Sequence, residues 1–342
     1  MGIPQSLDPT IDFEPRRWFR GGHVQTVAAF LVRRRFNLPL AEERLIEVAP
    51  GIKVLCHCHW QPDRTKPLTI IIVHGLEGSS ESQYVMGTAE KALAAGMNVI
   101  RYNQRNCGGT DHLAPTLYHS GLSADIAAVA RELIERDRIS RLALVGFSMG
   151  GNLALKLAGE WGSPANEIPG SPESKAPSQF RAVATCCPAI DLGASAAALH
   201  DPKNRLYELY FLFNLRRRMM RKARLFPKHF DVSRMRGMKS LRDFDHQVTA
   251  FYCGFESAED YYARASAANV IEGISVPALI LHAANDPFIR ITDETRRKIM
   301  SNPNISFVET SDGGHCSFLG SRNGDLDGYW AETQIVNFLR RF

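Results

Sequence analysis

RLALVGFSMGGNLALKLA, from Arg141 to Ala158, joins two patterns through a single turn. An apolar run (Leu142, Ala143, Leu144, Val145) stops at Gly146, one serine follows at Ser148, and a small-residue helical pattern (Gly151, Leu153, Ala154, Leu155, Leu157, Ala158) begins at once. A serine on so tight a strand-to-helix turn takes a strained backbone conformation, and flanking side chains would collide there. Gly146 and Gly150 therefore leave room for strand and helix to approach. Such a turn lifts the hydroxyl clear of the sheet edge. It also sets the Met149 N–H, at the positive end of a helix, where an oxyanion would form.

Outward from this turn the chain alternates. Leu45 to Val48 and Ile52 to Trp60 read as antiparallel strands joined at Pro50-Gly51, and Leu68 to Val73 is the β-branched run of a strand buried on both faces. Glu81 to Ala95 reads as a helix, Asn98 to Tyr102 as a strand, and Ser123 to Arg136 as an amphipathic helix capped by Ser123. That order predicts an α/β fold with a mostly parallel, doubly wound sheet. Gly162 to Ser178, rich in Pro, Ser and Gly, reads as an exposed loop, after which Phe180 to Cys187 resumes the sheet. Residues 192 to 268 are helical, aromatic and basic; strands return at Pro277 to Ala283 and Ile305 to Glu309, and Glu332 to Arg341 closes as a helix. The expected division is an N-terminal extension packed on the core (1–45, without clean periodicity), a core (46–191 and 269–342), and a helical cap (192–268) inserted between two C-terminal core strands.

Composition excludes several classes. With 342 residues, 44% of them hydrophobic and 23% charged, the chain is neither disordered nor fibrous. No apolar run reaches membrane-spanning length and no signal-peptide core is present, so a cytoplasmic protein is expected. Gly2 and Ser6 match the loose myristoylation pattern, a short match that matters only in a eukaryote. Seven cysteines form no disulfide framework, and Cys56-His57-Cys58-His59 lies on a strand that turns the cysteines one way and the histidines the other, so no metal is expected. The net charge of +5 is unevenly placed: residues 203–242 hold 13 Lys and Arg against two acids, net +11, leaving −6 elsewhere. This suggests peripheral contact between the basic cap and an anionic membrane, although charge runs on exposed helices are more often solvated. Nothing points to nucleic acid, and the oligomeric state is left open.

A serine hydroxyl needs a base, and the base an orienting carboxylate. Asp286 follows one late strand in Asn285-Asp286-Pro287-Phe288, and His315 follows the next in Gly313-Gly314-His315. The order Ser148, Asp286, His315, each after a strand, is far more specific than the turn alone. Asp191 is the alternative acid. The loop after Leu68 to Val73 places the Leu76 N–H as a second oxyanion donor beside Met149, with His74 holding that loop by hydrogen bonds. Arg105, Asn106, Tyr118 and His119 are expected as supports.

The sequence resembles the YheT-like branch of the α/β-hydrolases through motifs along nearly its whole length. These are Gly22-His23-Val24-Gln25-Thr26, His74-Gly75-Leu76-Glu77-Gly78, Arg105-Asn106-Cys107-Gly108-Gly109, Gly146 to Asn152, Phe244-Asp245 with Asp260-Tyr261-Tyr262, and Asn285 to Phe288. It departs from the family pattern at Gly21-Gly22-His23, where Asn-Pro-His is usual, and at Asn285, where aspartate is usual. The resemblance implies the α/β-hydrolase fold and a serine carboxylic-ester hydrolase acting on short- to medium-chain acyl esters or acylglycerols, without cofactor. Thioester hydrolysis, acyl transfer through the same residues, and a non-enzymatic binding protein are the alternatives.

Overall fold

A computed structural model describes residues 13–163, 175–322 and 327–342. The myristoylation match at Gly2 and Ser6, and most of the loop expected over Gly162 to Ser178, lie outside the described residues. Eight strands form one sheet in the order β1-β2-β4-β3-β5-β6-β7-β8. They are β1 (Glu42–Ala49), β2 (Ile52–His59), β3 (Thr69–Val73), β4 (Asn98–Tyr102), β5 (Leu142–Phe147), β6 (Phe180–Cys186), β7 (Ala278–Ala283) and β8 (Ile305–Thr310). β2 runs antiparallel to both β1 and β4, and the other neighbours are parallel.

The continuous apolar runs have a simple cause. On β3 and β5, Ile71, Val73, Leu142 and Leu144 enter one core layer, while Ile70, Ile72, Ala143 and Val145 enter the other. Helices α3 (Ser123–Asp137) and α4 (Met149–Gly162) cover the first layer, and α2 (Gln83–Ala94) covers the second. Ser123 is not the cap of α3. It is the first helical residue, and its buried hydroxyl has no hydrogen-bond partner among the described residues.

Two elements differ from a plain reading of the sequence pattern. The segment before β1, read without periodicity, contains helix α1 (Gly22–Leu31), which lacks a side-chain cap and has neither acidic residues in its first turn nor basic ones in its last. Between β6 and β7 every regular element is helical, the main ones being α5 (Leu192–Leu199), the long α6 (Arg205–Leu225), a short turn Leu241–Phe244 that runs into the π-helical turn Asp245–Ala250, and α7 (Ala258–Ala265). These helices build a separate apolar cluster that includes Leu212, Leu215, Met219 and Phe244 and closes on Leu117, Phe288 and Ile289 of the sheet-end loops. Helices α8 (Asp293–Ser301) and α9 (Trp330–Leu339) complete the chain.

Candidate active site

The turn after β5 places Ser148 at φ 54° and ψ −121°, the left-handed side where only glycine is unstrained. The flanking glycines are required by space: a Cβ on Gly146 would lie 2.4 Å from the Gly150 carbonyl oxygen, and one on Gly150 would lie 2.3 Å from that of Val73. Ser148 Oγ lies 2.9 Å from His315 Nε2, and His315 Nδ1 lies 2.8 Å from Asp286 Oδ2. Asp286 Oδ1 accepts the N–H groups of Phe288 (3.0 Å) and Ile289 (2.9 Å). Burial alone would raise the Asp286 pKa, but the neighbouring imidazole and these N–H donors outweigh it and hold the carboxylate below its usual range. Burial would likewise lower the His315 pKa, yet the adjacent carboxylate leaves it raised above the ordinary histidine value. Asp191 points elsewhere. It accepts the Thr292 N–H (2.9 Å) and the Thr295 hydroxyl (2.8 Å) at the start of α8.

The loop after β3 lies beside the serine. His74 Nδ1 approaches the Gly75 oxygen at 2.8 Å and the Gln104 N–H meets His74 Nε2 at 3.2 Å, while complete burial lowers the imidazole pKa to about 4, so this histidine is a neutral strut. Leu76, Ser148 and Met149 all line one cavity. The N–H groups of Leu76 and Met149 have no acceptor among the described residues. Two donors free beside a strained hydroxyl suit a developing oxyanion.

The family profile described as alpha/beta hydrolase fold matches residues 69–321. The chain belongs to the α/β-hydrolase family. YheT of Escherichia coli (strain K12), which carries the name of an esterase, is 29% identical over 337 residues, covering 97% of this chain and 94% of that protein. The YheT-like resemblance read from the motifs thus extends along nearly the whole chain. A phospholipase of Mus musculus is 30% identical over 75% of this chain and 59% of its own length. A monoacylglycerol lipase of Saccharomyces cerevisiae is 28% identical over 82% of this chain and 60% of its own. The chain therefore spans less than two thirds of those two relatives. An esterase of Pyrococcus furiosus superposes with a TM-score of 0.57 at 15% identity, covering 91% of this chain and 98% of that one, a likeness of fold alone.

In this α/β-hydrolase the cavity above Ser148 has a volume of about 120 Å³. Its walls are largely apolar, with Leu192, Phe211, Leu215, Met219 and Phe288 among them. Asp245, on the π-helical turn, is a buried carboxyl in this wall. It accepts from the Tyr262 (2.8 Å) and Thr249 (2.9 Å) hydroxyls, and burial raises its pKa to about 6.

Arg218 and Lys222 of α6, which no motif marks, reach the loops beside the serine. The Arg218 Nε of α6 donates to Glu77 Oε1 at 2.8 Å and its Nη1 to the Asn106 carbonyl, so an α6 side chain grips the residue next to Leu76. Tyr118 donates its hydroxyl to the same Glu77 oxygen at 2.7 Å. The buried Lys222 Nζ donates to Asn106 Oδ1 (2.9 Å) and to the carbonyls of Asp111 (2.8 Å) and Ala114. Arg105 instead pairs with Asp125 away from the cavity, and His119 lines the cavity wall. From the N-terminal segment, Thr26 Oγ1 accepts the His315 N–H at 2.9 Å. The thiols of Cys186, Cys187 and Cys316 lie within 4.8 Å of one another behind the serine, as do ligand atoms of Cys187, Asp286 and His315. A metal there would have to displace the His315–Asp286 hydrogen bond or deprotonate Cys186 and Cys187, whose pKa values burial pushes up.

Proposed function

We propose that the protein is a serine hydrolase of carboxylic esters, with Ser148 as nucleophile, His315 as its base and Asp286 as the carboxylate behind that base. The observation that supports this most is the row from Ser148 Oγ through both His315 nitrogens to Asp286, at 2.9 and 2.8 Å. Ser148 Oγ attacks the ester carbonyl carbon while His315 Nε2 takes its proton. The carbonyl oxygen becomes an oxyanion held by the Leu76 and Met149 N–H groups. Collapse breaks the bond to the alcohol, which leaves with the proton from His315; water then attacks the acyl-serine in the same manner and restores Ser148. Asp286 stays ionised and balances the imidazolium. The cycle needs neither metal nor organic cofactor.

The substrate class is proposed from the apolar cavity together with relatives named esterase, phospholipase and monoacylglycerol lipase: short- to medium-chain acyl esters or acylglycerols. Residues 192–268 act in this reading as the cap that sets specificity, supported by their own apolar cluster over the serine. Residues 46–191 and 269–342 form the core, and 1–45 the extension packed on it. A cytoplasmic location is part of the reading and is supported by seven unpaired cysteines. The test is fluorophosphonate labelling, with p-nitrophenyl esters of increasing acyl length and the Ser148→Ala protein as blank. Labelling of Ser148 with turnover is expected. A native protein that is not labelled while a control esterase is would mark a binding protein on a hydrolase fold.

A further inference from the structure

Part of the basic charge of residues 203–242 is paired within the protein, and most of the rest is exposed. Arg218 and Lys222 are buried against Glu77, Asn106 and Asp111, while Arg205, Arg221 and Arg242 pair with Glu208, Asp111 and Glu259. The unusual surface is apolar. Helix α6 has two apolar faces: Leu212, Leu215 and Met219 point inward, whereas Leu206, Leu209, Tyr210, Phe213 and Met220 form an exposed stripe at helical spacing. Helix α1 shows a second exposed stripe in Val24, Val27, Phe30 and Leu31. The stripes adjoin, because His23 stacks on Tyr207 (5.8 Å between ring centroids) and Phe30 meets Tyr210 edge-on (5.6 Å). Exposure is high: 66% for Phe30, 69% for Leu31, 81% for Leu206 and 60% for Phe213. A contiguous patch of this kind marks an interaction surface.

Its charge identifies the occupant. Residues 22–40 contain no acid, and the one acid of α6, Glu208, is buried against Arg205 and His200. Arg33, Arg35, Arg217 and Arg224 are exposed around the stripes. An apolar face with Arg33, Arg35, Arg217 and Arg224 exposed around it fits an anionic lipid surface. The patch also adjoins the site. Tyr207 and Phe211 touch Phe288 (5.2 and 6.1 Å), Phe288 touches His315 (4.4 Å), and Thr26 of α1 holds the His315 N–H.

We propose that the outer faces of α1 and α6 together seat the protein on an anionic bilayer, so that an acyl chain passes from lipid past Phe211 and Phe288 into the cavity without crossing water. The lipid class deepens the esterase reading, but seating is measured without turnover and stands or falls separately. The experiment is co-sedimentation with vesicles of equal parts phosphatidylcholine and phosphatidylglycerol, using the full chain and its Ser148→Ala form. Both are expected to bind alike, more weakly to pure phosphatidylcholine, and less as salt is added. Leu31→Glu with Phe213→Glu, at exposed positions, is expected to weaken binding at least roughly tenfold while thermal unfolding is unchanged. Should that variant misfold, amide exchange on the unsubstituted protein decides, with protection by vesicles expected at 24–31 and 206–220. Absence of vesicle binding, binding unaffected by the substitutions, or protection elsewhere would overturn the proposal. So would a dimer split by the same substitutions that binds no vesicles, since a second copy would then cover the face.

Discussion

Replacing Arg218 by alanine tests whether α6 holds the loop that carries the Leu76 N–H, the proposed oxyanion donor. In the native protein the guanidinium reaches both Glu77 oxygens (2.8 and 3.3 Å), the Asn106 carbonyl and Asp111 (3.4 Å). The Arg218 and Glu77 side chains are each only 8% exposed. Removing one partner of a buried pair leaves the other charge uncompensated, a loss of about 3–5 kcal/mol. Tyr118 still donates to Glu77, and exposed Arg221 can reach Asp111, so the lower end of that range is expected. Glu77 has φ 55°, and its freedom is transmitted to the adjoining Leu76 N–H. Full loss of one oxyanion donor costs roughly 10²–10³ in kcat. A loosened donor loses part of this, so kcat should fall about 10- to 100-fold, with kcat/KM falling in parallel because the donor acts in the transition state. The assays are urea unfolding and p-nitrophenyl ester turnover, with Glu77→Gln completing a double-mutant cycle. Unchanged kcat with a stability loss under about 1 kcal/mol, or additive effects of the two substitutions, would refute the reasoning.

Four further outcomes follow from the same geometry. Asp286→Asn should lower kcat by roughly 10⁴, whereas Asp191→Asn, which affects only the start of α8, should keep near-normal turnover. In the unsubstituted protein kcat/KM should rise with pH through an apparent pKa above the usual 6.5, since the base form of His315 is required and Asp286 raises its pKa; a midpoint below 6.5 would contradict this. Gly22→Ala would drive a Cβ to 1.9 Å from the Asn285 carbonyl oxygen, so unfolding should become easier by about 1–3 kcal/mol and turnover should drop as the Asp286 segment shifts; calorimetry and kinetics check both. Asp245 has a folded pKa of about 6 against 3.8, so its protonated carboxyl makes a stabilising contribution that is full below pH 3.8 and is lost as pH rises through 6. Asp245→Asn should therefore gain up to about 3 kcal/mol over the unsubstituted protein at pH 8, and urea melts should show that gain vanishing by pH 4.

The site was legible where function depends on order along the chain. Ser148 announced itself because a strand, a glycine-flanked serine and a helix are adjacent in sequence, and Asp286 and His315 because each follows a strand that its own apolar run marks. The Ser123 cap was misplaced by one residue, since a serine within a helix's first turn and one just before it look alike until the backbone angles are known. Helix α1 escaped notice for a related reason. Its ten residues have no side-chain cap, and its Val24 and Val27 face outward, so the inside-apolar rule on which periodicity rests does not hold there.

What the sequence determined by itself, then, was the α/β class and the order of Ser148, Asp286 and His315 along the chain, because the alternation of strands and helices and residues placed just after strands are local signals; the order of the strands across the sheet came only from the structure. Only the tertiary structure decided which acid faces the imidazole: Asp191 and Asp286 both end strands, and the fold alone sets one 2.8 Å from Nδ1 and the other on α8. It also decided what the charges of residues 203–242 do. Arg218 and Glu77 are separated by 141 residues, and no local pattern distinguishes an arginine that will be buried against a loop from one that water will surround.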